Sequence, residues 1–332
     1  MSPSRPNAQP PRIVYAILSH SRPAQLERLI RVLLDEGSSP AAIVHHDFSA
    51  GDLDATAFER LGDVRVLRDW VNVEWGGFSM VEAMLAPMRA AVAGGEFDWL
   101  VLLSGQHYPV SPLPEIERFL AATEFDGFVD LGVVVAQPER LRGPGRDGAR
   151  VWRRYYFGYR RMPLRSEQLP DAVGAALRRL AWAVSDNQRL VSVWPMPEGT
   201  RWRAGRRCRH TPFGERLTCR KGSMWLTLSR RAVEAAVARA DGDEALVRHY
   251  RRTVIPDESF FQSVLAAEPG LRLSDGNLQF SRWPVEPESH PDVLRAGDFG
   301  VLVESGAHFA RKFDPTVDSA ILDRLDDHRR AG

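Results

Sequence analysis

The sequence predicts an α/β fold with a central, mainly parallel sheet flanked by helices, on three observations. Over roughly the first 130 residues, short apolar runs alternate with longer stretches whose apolar residues recur at helical spacing. The run WLVLLSG at 99–105 is apolar enough for a strand buried on both faces. The chain has 332 residues and is 44% hydrophobic, enough for one large α/β domain or two small ones.

The elements follow in order. RIVYAILSH (12–20) reads as a buried strand, and SRPAQLERLIRVLLDEG as a helix carrying Leu26, Leu29, Ile30, Leu33 and Leu34 on one face, stopped at Gly37. AAIVHHD (41–47) is a second strand and VRVL (64–67) a third. FSMVEAMLAPMRAAVAGG (78–95) is a helix closed by two glycines, and PLPEIERFLAAT (112–123) is the helix after the central strand. Beyond residue 138 the pattern loosens into GPGRDGARVWRRYYFGYRR. KGSMWLTLSRRAVEAAVARA (221–240) restores a strand or turn and a helix, and LRLSDGNLQFSRWP (271–284) predicts a hairpin around Asp275-Gly276. No internal repeat is visible. Residues 1–11 read as a disordered tail, and 12–326 as one domain with halves at 12–137 and 138–326. In parallel sheets ligands bind beyond the carboxyl ends of the strands, which nominates Ser19-His20, Asp47 and Ser104-Gly105-Gln106-His107 as cleft residues.

Composition narrows the function. No run approaches the roughly eighteen apolar residues of a membrane span, and the N-terminus lacks the apolar stretch of a signal peptide. A soluble, cytoplasmic protein is the expectation. Cys208 and Cys219, with ten residues between them, match no zinc pattern, although one bridge between them is conceivable. Residues 140–221 carry a net charge of +14 in a chain whose total is +1. No RRM, KH, helix-turn-helix or zinc-finger pattern accompanies that block, so a solvated, arginine-rich insertion is expected and nucleic acid is not a partner. Of 44 basic residues only Lys221 and Lys312 are lysine. Ammonium and guanidinium groups are not interchangeable, which marks both positions for inspection.

Several chemistries drop out. GxGxxG, GxxxxGK[ST] and GxSxG are absent, which argues against dinucleotide, P-loop and hydrolase sites. His45 and His46 are strand neighbours facing opposite ways, a poor arrangement for one metal ion. Where metal-dependent nucleotide-sugar transferases carry Asp-x-Asp, this chain reads SGQH; the DLD at 52–54 and DGD at 241–243 lie in polar loops. No metal or cofactor is expected, and a departing diphosphate would need cationic side chains instead. In VIPDESFFQSVL (254–265), Asp257 and Glu258 follow Pro256. One reading is acids in a first helical turn, favoured by the helix dipole; the other is a catalytic base at a cleft mouth.

Seven segments occurring in order join these readings into one expectation, a capping turn that also presents the base. YAILSHSRPAQLERLIRVL, VHHD, WGGFSMVEAMLAPMRAA, LLSGQHYPVSPLPEIERFL, GSMWLTLSR, PDESFFQSVL and FARKFDPTVDSAILDRLD together resemble the core-2/I-branching β-1,6-N-acetylglucosaminyltransferase and peptide O-xylosyltransferase family. The resemblance spans about residues 12 to 326. It implies a GT-A-type fold and inverting, metal-independent transfer of a GlcNAc- or xylose-like sugar from a UDP-sugar to a small-molecule, glycan or peptide acceptor. It places the catalytic base on Glu258, a diphosphate-binding lysine on Lys312 and a nucleotide contact on Asp47, with Ser19, His20, Ser104 and Gly105 beside it. Gln106, His107, Tyr108, Trp75, Trp225 and Asp257 are the candidates for acceptor or sugar contacts, core packing being the alternative for the aromatics. Two departures stand out. The family commonly has a carboxylate where this chain has His107. Counting back from Lys312 to the family's assisting arginine reaches Ser289, so Arg282 is the substitute, with Arg295 behind it. The runner-up among enzymes is a peptide O-xylosyltransferase, and the reading from another class is a non-catalytic nucleotide-sugar or carbohydrate binder that keeps the fold.

Overall fold

Strand β1 (Ile13–Ser19) is buried on both faces, and that places it in the middle of the sheet. A computed structural model describes residues 10–136, 146–165, 170–196, 200–284 and 291–331. In it, β1 pairs in parallel with β2 (Pro40–His46) on one side and β4 (Trp99–Ser104) on the other, and β3 (Val64–Val66) extends the sheet beyond β2. On the far side, Thr227–Ser229 lies antiparallel between β4 and β6 (Gly127–Val129), and Leu273–Asp275 closes the edge parallel to β6. One strand of seven runs against the rest, so the sheet is mainly parallel as the sequence predicts. Strands from both halves of the chain build it.

Alternation along the strands sends side chains to two separate cores. Val14, Ala16, Leu100 and Leu102 face one, covered by α3 (Phe78–Gly94), the helix Arg230–Gly242 and the helix Phe260–Ala266. Ile13, Tyr15, Ile17, Val101 and Leu103 face the other, covered by α1 (Pro23–Glu36), α4 (Leu113–Ala122) and the C-terminal helix Ala320–Ala331. Helices α1, α3 and α4 fall where the apolar periodicity put them. Each fully buried Leu, Ile or Phe contributes about 1.5–3 kcal/mol, so these two layers carry most of the stabilisation.

Two expectations about the second half change. The arginine-rich stretch is not a solvated insertion. A helix (Arg146–Tyr156), a strand (Phe157–Arg165), a helix (Asp171–Asp186) and strands Val191–Trp194 and Arg201–Arg207 form a unit around a three-stranded sheet. Trp152, Tyr155, Phe157 and Trp202 join it to the core above β4. Some of its arginines are structural: buried Arg153 donates to the Ser185 carbonyl at 2.7 Å, and Arg203 reaches Glu74. Nor do residues 271–284 form a hairpin. Gly276 makes the turn at φ 114°, but Leu273–Asp275 joins the large sheet while Gln279–Ser281 pairs in parallel with Phe309–Arg311. The turn chemistry was legible; the partners were tertiary. Cys208 and Cys219 are both free thiols. Among the described residues no helix is long and apolar enough to cross a membrane.

Candidate active site

A cleft of about 1110 Å³ opens at the carboxyl ends of β1, β2 and β4. The sheet rule therefore locates it. Ser19, His20, Asp47, Ser104, Gly105 and Gln106 all line it. Trp75, Trp225, Asp257, Glu258 and Lys312 line it too, brought from four further segments.

Much of the strand-end wall is tied to itself. The Asp47 carboxylate accepts from the Ser49 amide and hydroxyl through one oxygen and from the Val73 amide through the other. Burial works to raise its pKa, but those bonds prevail and hold it below the ordinary carboxylate value. Asp47 thus anchors the segment that carries Trp75. Ser19 Oγ lies 2.6 Å from His46 Nδ1, and His46 Nε2 lies 2.9 Å from the Gly51 carbonyl. Burial lowers the pKa of His20 at the cleft edge.

The PDE segment is built differently from a capped helix. Pro256–Glu258 is a single 3-10 turn, Ser259 breaks it, and the α-helix begins at Phe260. Neither acid caps that helix. Ahead of the turn, Ile255 sits in the left-handed region at φ 54°, where a β-branched residue is strained by about 1–3 kcal/mol. Contacts on both sides hold it: its amide donates to the Gly76 carbonyl at 2.9 Å, and Tyr155 donates to its own carbonyl at 3.2 Å. The strain aims the two acids in different directions. Glu258 Oε2 receives Arg154 at 2.7 Å and Lys221 at 3.3 Å, while Oε1 has no partner among the described residues. Asp257 is buried with Oδ1 unpartnered, and burial, followed by the charge on Glu258, pushes its pKa up to about 7.

Three expected site residues lie outside the cleft lining. Tyr108 is fully buried, donating to Asp326 at 2.8 Å and accepting from Arg28 at 3.0 Å, so it joins the C-terminal helix to the core. His107 is also buried. Its Nδ1 accepts the Ser104 amide at 2.9 Å, its ring meets Trp225 edge-on at 4.4 Å, and burial, then Arg311, keeps its pKa well below the ordinary value. Arg282 pairs with Asp292 and Asp298 at the surface, and Arg295 belongs to the same surface turn.

Sequence reasoning missed other cleft residues. Lysine scarcity marked Lys221 without assigning it. Arg311 lay unread beside Lys312. Arg154, which reaches Glu258 without lining the cleft, had no signal at all within a block of similar arginines. The residues at the end of β4 fit no divalent ion well: they offer a hydroxyl, an amide and a buried imidazole. Among the described residues no three His, Cys, Asp or Glu side chains gather as a metal site.

A model of the core-2/I-branching enzyme family matches residues 13–131 and 197–302. Xylosyltransferase 2 of Canis lupus familiaris is 27% identical over 342 positions, covering 96% of this chain and 34% of that protein. Xylosyltransferase 1 of the same organism is 24% identical, covering 96% and 31%. The chain spans about a third of the length of these curated relatives. The crystal structure of mouse xyloside xylosyltransferase 1 aligns with a TM-score of 0.37 and 9% identity, over 90% of this chain and 97% of that one.

Proposed function

Because the chain belongs to the core-2/I-branching enzyme family, we propose that it is a glycosyltransferase that moves a sugar from a UDP-sugar to an acceptor hydroxyl with inversion and without a metal ion. The observation that carries the reading is one cleft lined by Glu258 on one segment and Lys312 on another, with Asp47 at the end of the second strand. Glu258 Oε1 takes the proton of the acceptor hydroxyl as that oxygen bonds to the anomeric carbon. The bond from that carbon to the diphosphate oxygen breaks on the opposite face, and its electron pair leaves with UDP. Lys312, which has no ion pair among the described residues, meets the charge that develops there. Arg154 and Lys221 compensate Glu258 from Oε2, so the oxygen left over faces the acceptor.

The relatives' names, xylosyltransferases 1 and 2, put UDP-xylose first among donors to test, beside UDP-N-acetylglucosamine. A nucleotide-sugar screen by thermal shift identifies the donor, because a ligand bound to the native state raises the apparent Tm. With that donor, Glu258→Gln is expected to lower turnover by roughly two to four orders of magnitude with donor affinity nearly unchanged. Turnover within threefold of wild type would remove Glu258 from the base role. A non-catalytic binder would instead hold the donor and show neither transfer nor donor hydrolysis.

A further inference from the structure

The helix Asp171–Asp186 buries its smallest side chains while large aliphatic ones face water. Its buried positions are Gly174, Ala181 and Ser185, at i, i+7 and i+11. One residue earlier in each case, Val173, Leu180 and Val184 share an exposed face at the same spacing. Leu190 and Val191 follow, in the turn and at the start of the strand Val191–Trp194, and both are exposed, Leu190 by 69%. Arginines rim this face. Arg178 and Arg179 are exposed on the helix, and exposed Arg206 lies directly across from Val191 in the antiparallel pair, on the same side of the sheet. None of the three has an ion pair among the described residues. Residues 170–196 hold two acids: Asp186 is paired with Arg153 and Arg150, and Asp171 lies at the helix start.

Leaving such side chains in water forgoes the burial that stabilises the rest of the fold. An apolar face bounded by cations suits a surface that is apolar within and anionic at its boundary. A bilayer with acidic headgroups is that surface: aliphatic side chains enter the acyl boundary while guanidinium groups stay with the phosphates. A second copy fits less well, because a two-fold contact sets the Arg178 and Arg179 of both chains against each other. A protein partner also fits less well. Protein contacts are enriched in exposed aromatics, and Trp182 of this helix packs edge-on against buried Trp194 at 5.1 Å with Arg150 over its ring. We propose that the helix Asp171–Asp186 and the Leu190-Val191 turn form a docking face for an anionic membrane surface. The charge agrees on a larger scale, since residues 140–221 carry +14 in a chain whose total is +1. The face lies between the two family-matched segments and stands whether or not the glycosyltransferase reading does.

Flotation of the full chain with vesicles of phosphatidylcholine alone, and of phosphatidylcholine mixed with phosphatidylglycerol, tests this. Wild type is expected to float with the anionic vesicles, to stay behind beside the neutral ones, and to be released by high salt. Arg178→Gln combined with Arg179→Gln is expected to weaken partitioning roughly 10- to 30-fold. Leu180→Ser combined with Leu190→Ser is expected to weaken it roughly tenfold or more. Val301→Ser removes an aliphatic side chain as exposed as Leu180, at 58%, from another helix, and is expected to leave binding unchanged. An unshifted Tm separates a lost docking face from a damaged fold. Arg178 and Arg179 make no ion pair, so the arginine pair carries the test even if the leucine pair lowers Tm. Wild type that ignores anionic vesicles overturns the proposal, as does equal binding to neutral ones or binding that both double variants keep. If size exclusion shows a wild-type dimer that the leucine pair splits, with no vesicle binding, the face belongs to a second copy and the membrane proposal fails.

Discussion

Asp257 and Glu258 are adjacent carboxylates with different surroundings. Glu258 is partly exposed, with two cations on one carboxylate oxygen; Asp257 is buried and half unpartnered. In the unfolded chain Asp257 titrates near 3.8, and in the fold at about 7. Between those values the native state keeps a proton that the unfolded state has lost, so stability falls as pH rises through the window. The full cost, on the order of 4 kcal/mol, is present above pH 7. Asp257→Asn cannot lose that proton, so it is expected to melt higher than wild type at pH 8, by a margin that shrinks at pH 5 and closes near pH 3.5. A Tm difference that stays constant between those two pH values would show that Asp257 titrates normally. Tyr108 teaches the reverse lesson. An aromatic beside a strand-end motif suggested sugar stacking, yet the ring is fully buried, its hydroxyl bonds Asp326 and Arg28, and Arg329 lies 5.1 Å from its centroid.

The helix Arg146–Tyr156 lies in the stretch 132–196 that falls between the two family-matched segments, yet it delivers Arg154 to Glu258. Trp194 lies under that guanidinium at 5.5 Å, and the Arg154 carbonyl accepts the Val254 amide just ahead of the strained Ile255. This unit therefore grips the PDE turn through both side chain and backbone. Arg154→Ala leaves Lys221 as the sole partner of Glu258. A carboxylate misplaced by about 1 Å can cost up to about 100-fold, so kcat is expected to fall between 10- and 100-fold while the donor KM stays within threefold. Arg154→Lys should recover part of the loss. Equal losses in kcat and donor affinity would point to a general collapse of the cleft instead. Helix α3 shows packing overriding propensity in the same way. Pro87 removes one internal hydrogen bond, yet Val81, Met84, Leu85 and Met88 are buried around it and the helix runs through.

Across the whole molecule, the cleft gathers Arg311, Lys312 and Lys221 from two separate stretches, and Arg154 reaches Glu258 from a third, although the chain's formal charge is only +1. Fixed cations of this kind can take the place of a Lewis acid at a leaving diphosphate. Transfer activity is therefore expected to survive exhaustive EDTA treatment. Abolition by EDTA with rescue by manganese or magnesium would overturn the metal-free reading and return attention to His45, His46 and Asp47.

Periodicity fixed the layers: β1, β2, β4 and helices α1, α3 and α4 fall where apolar spacing put them, because burying those residues admits few other arrangements. The sheet rule then put Ser19, Asp47 and Gly105 at one cleft, and the motif order singled out Glu258 and Lys312. The count of lysines told which two cations to watch, and both line that cleft. What the sequence did not determine is who partners whom. Arg282 and Arg311 are the same residue type, and only the fold decides that Asp292 and Asp298 neutralise one while Trp225 and a buried, neutral His107 leave the other bare. The same holds for Leu273–Asp275 and Gln279–Ser281, which a turn signal joined and two different sheets separated. Charge pairing and strand pairing are properties of distances between remote segments, and no local pattern of residues encodes a distance that only the packed chain creates.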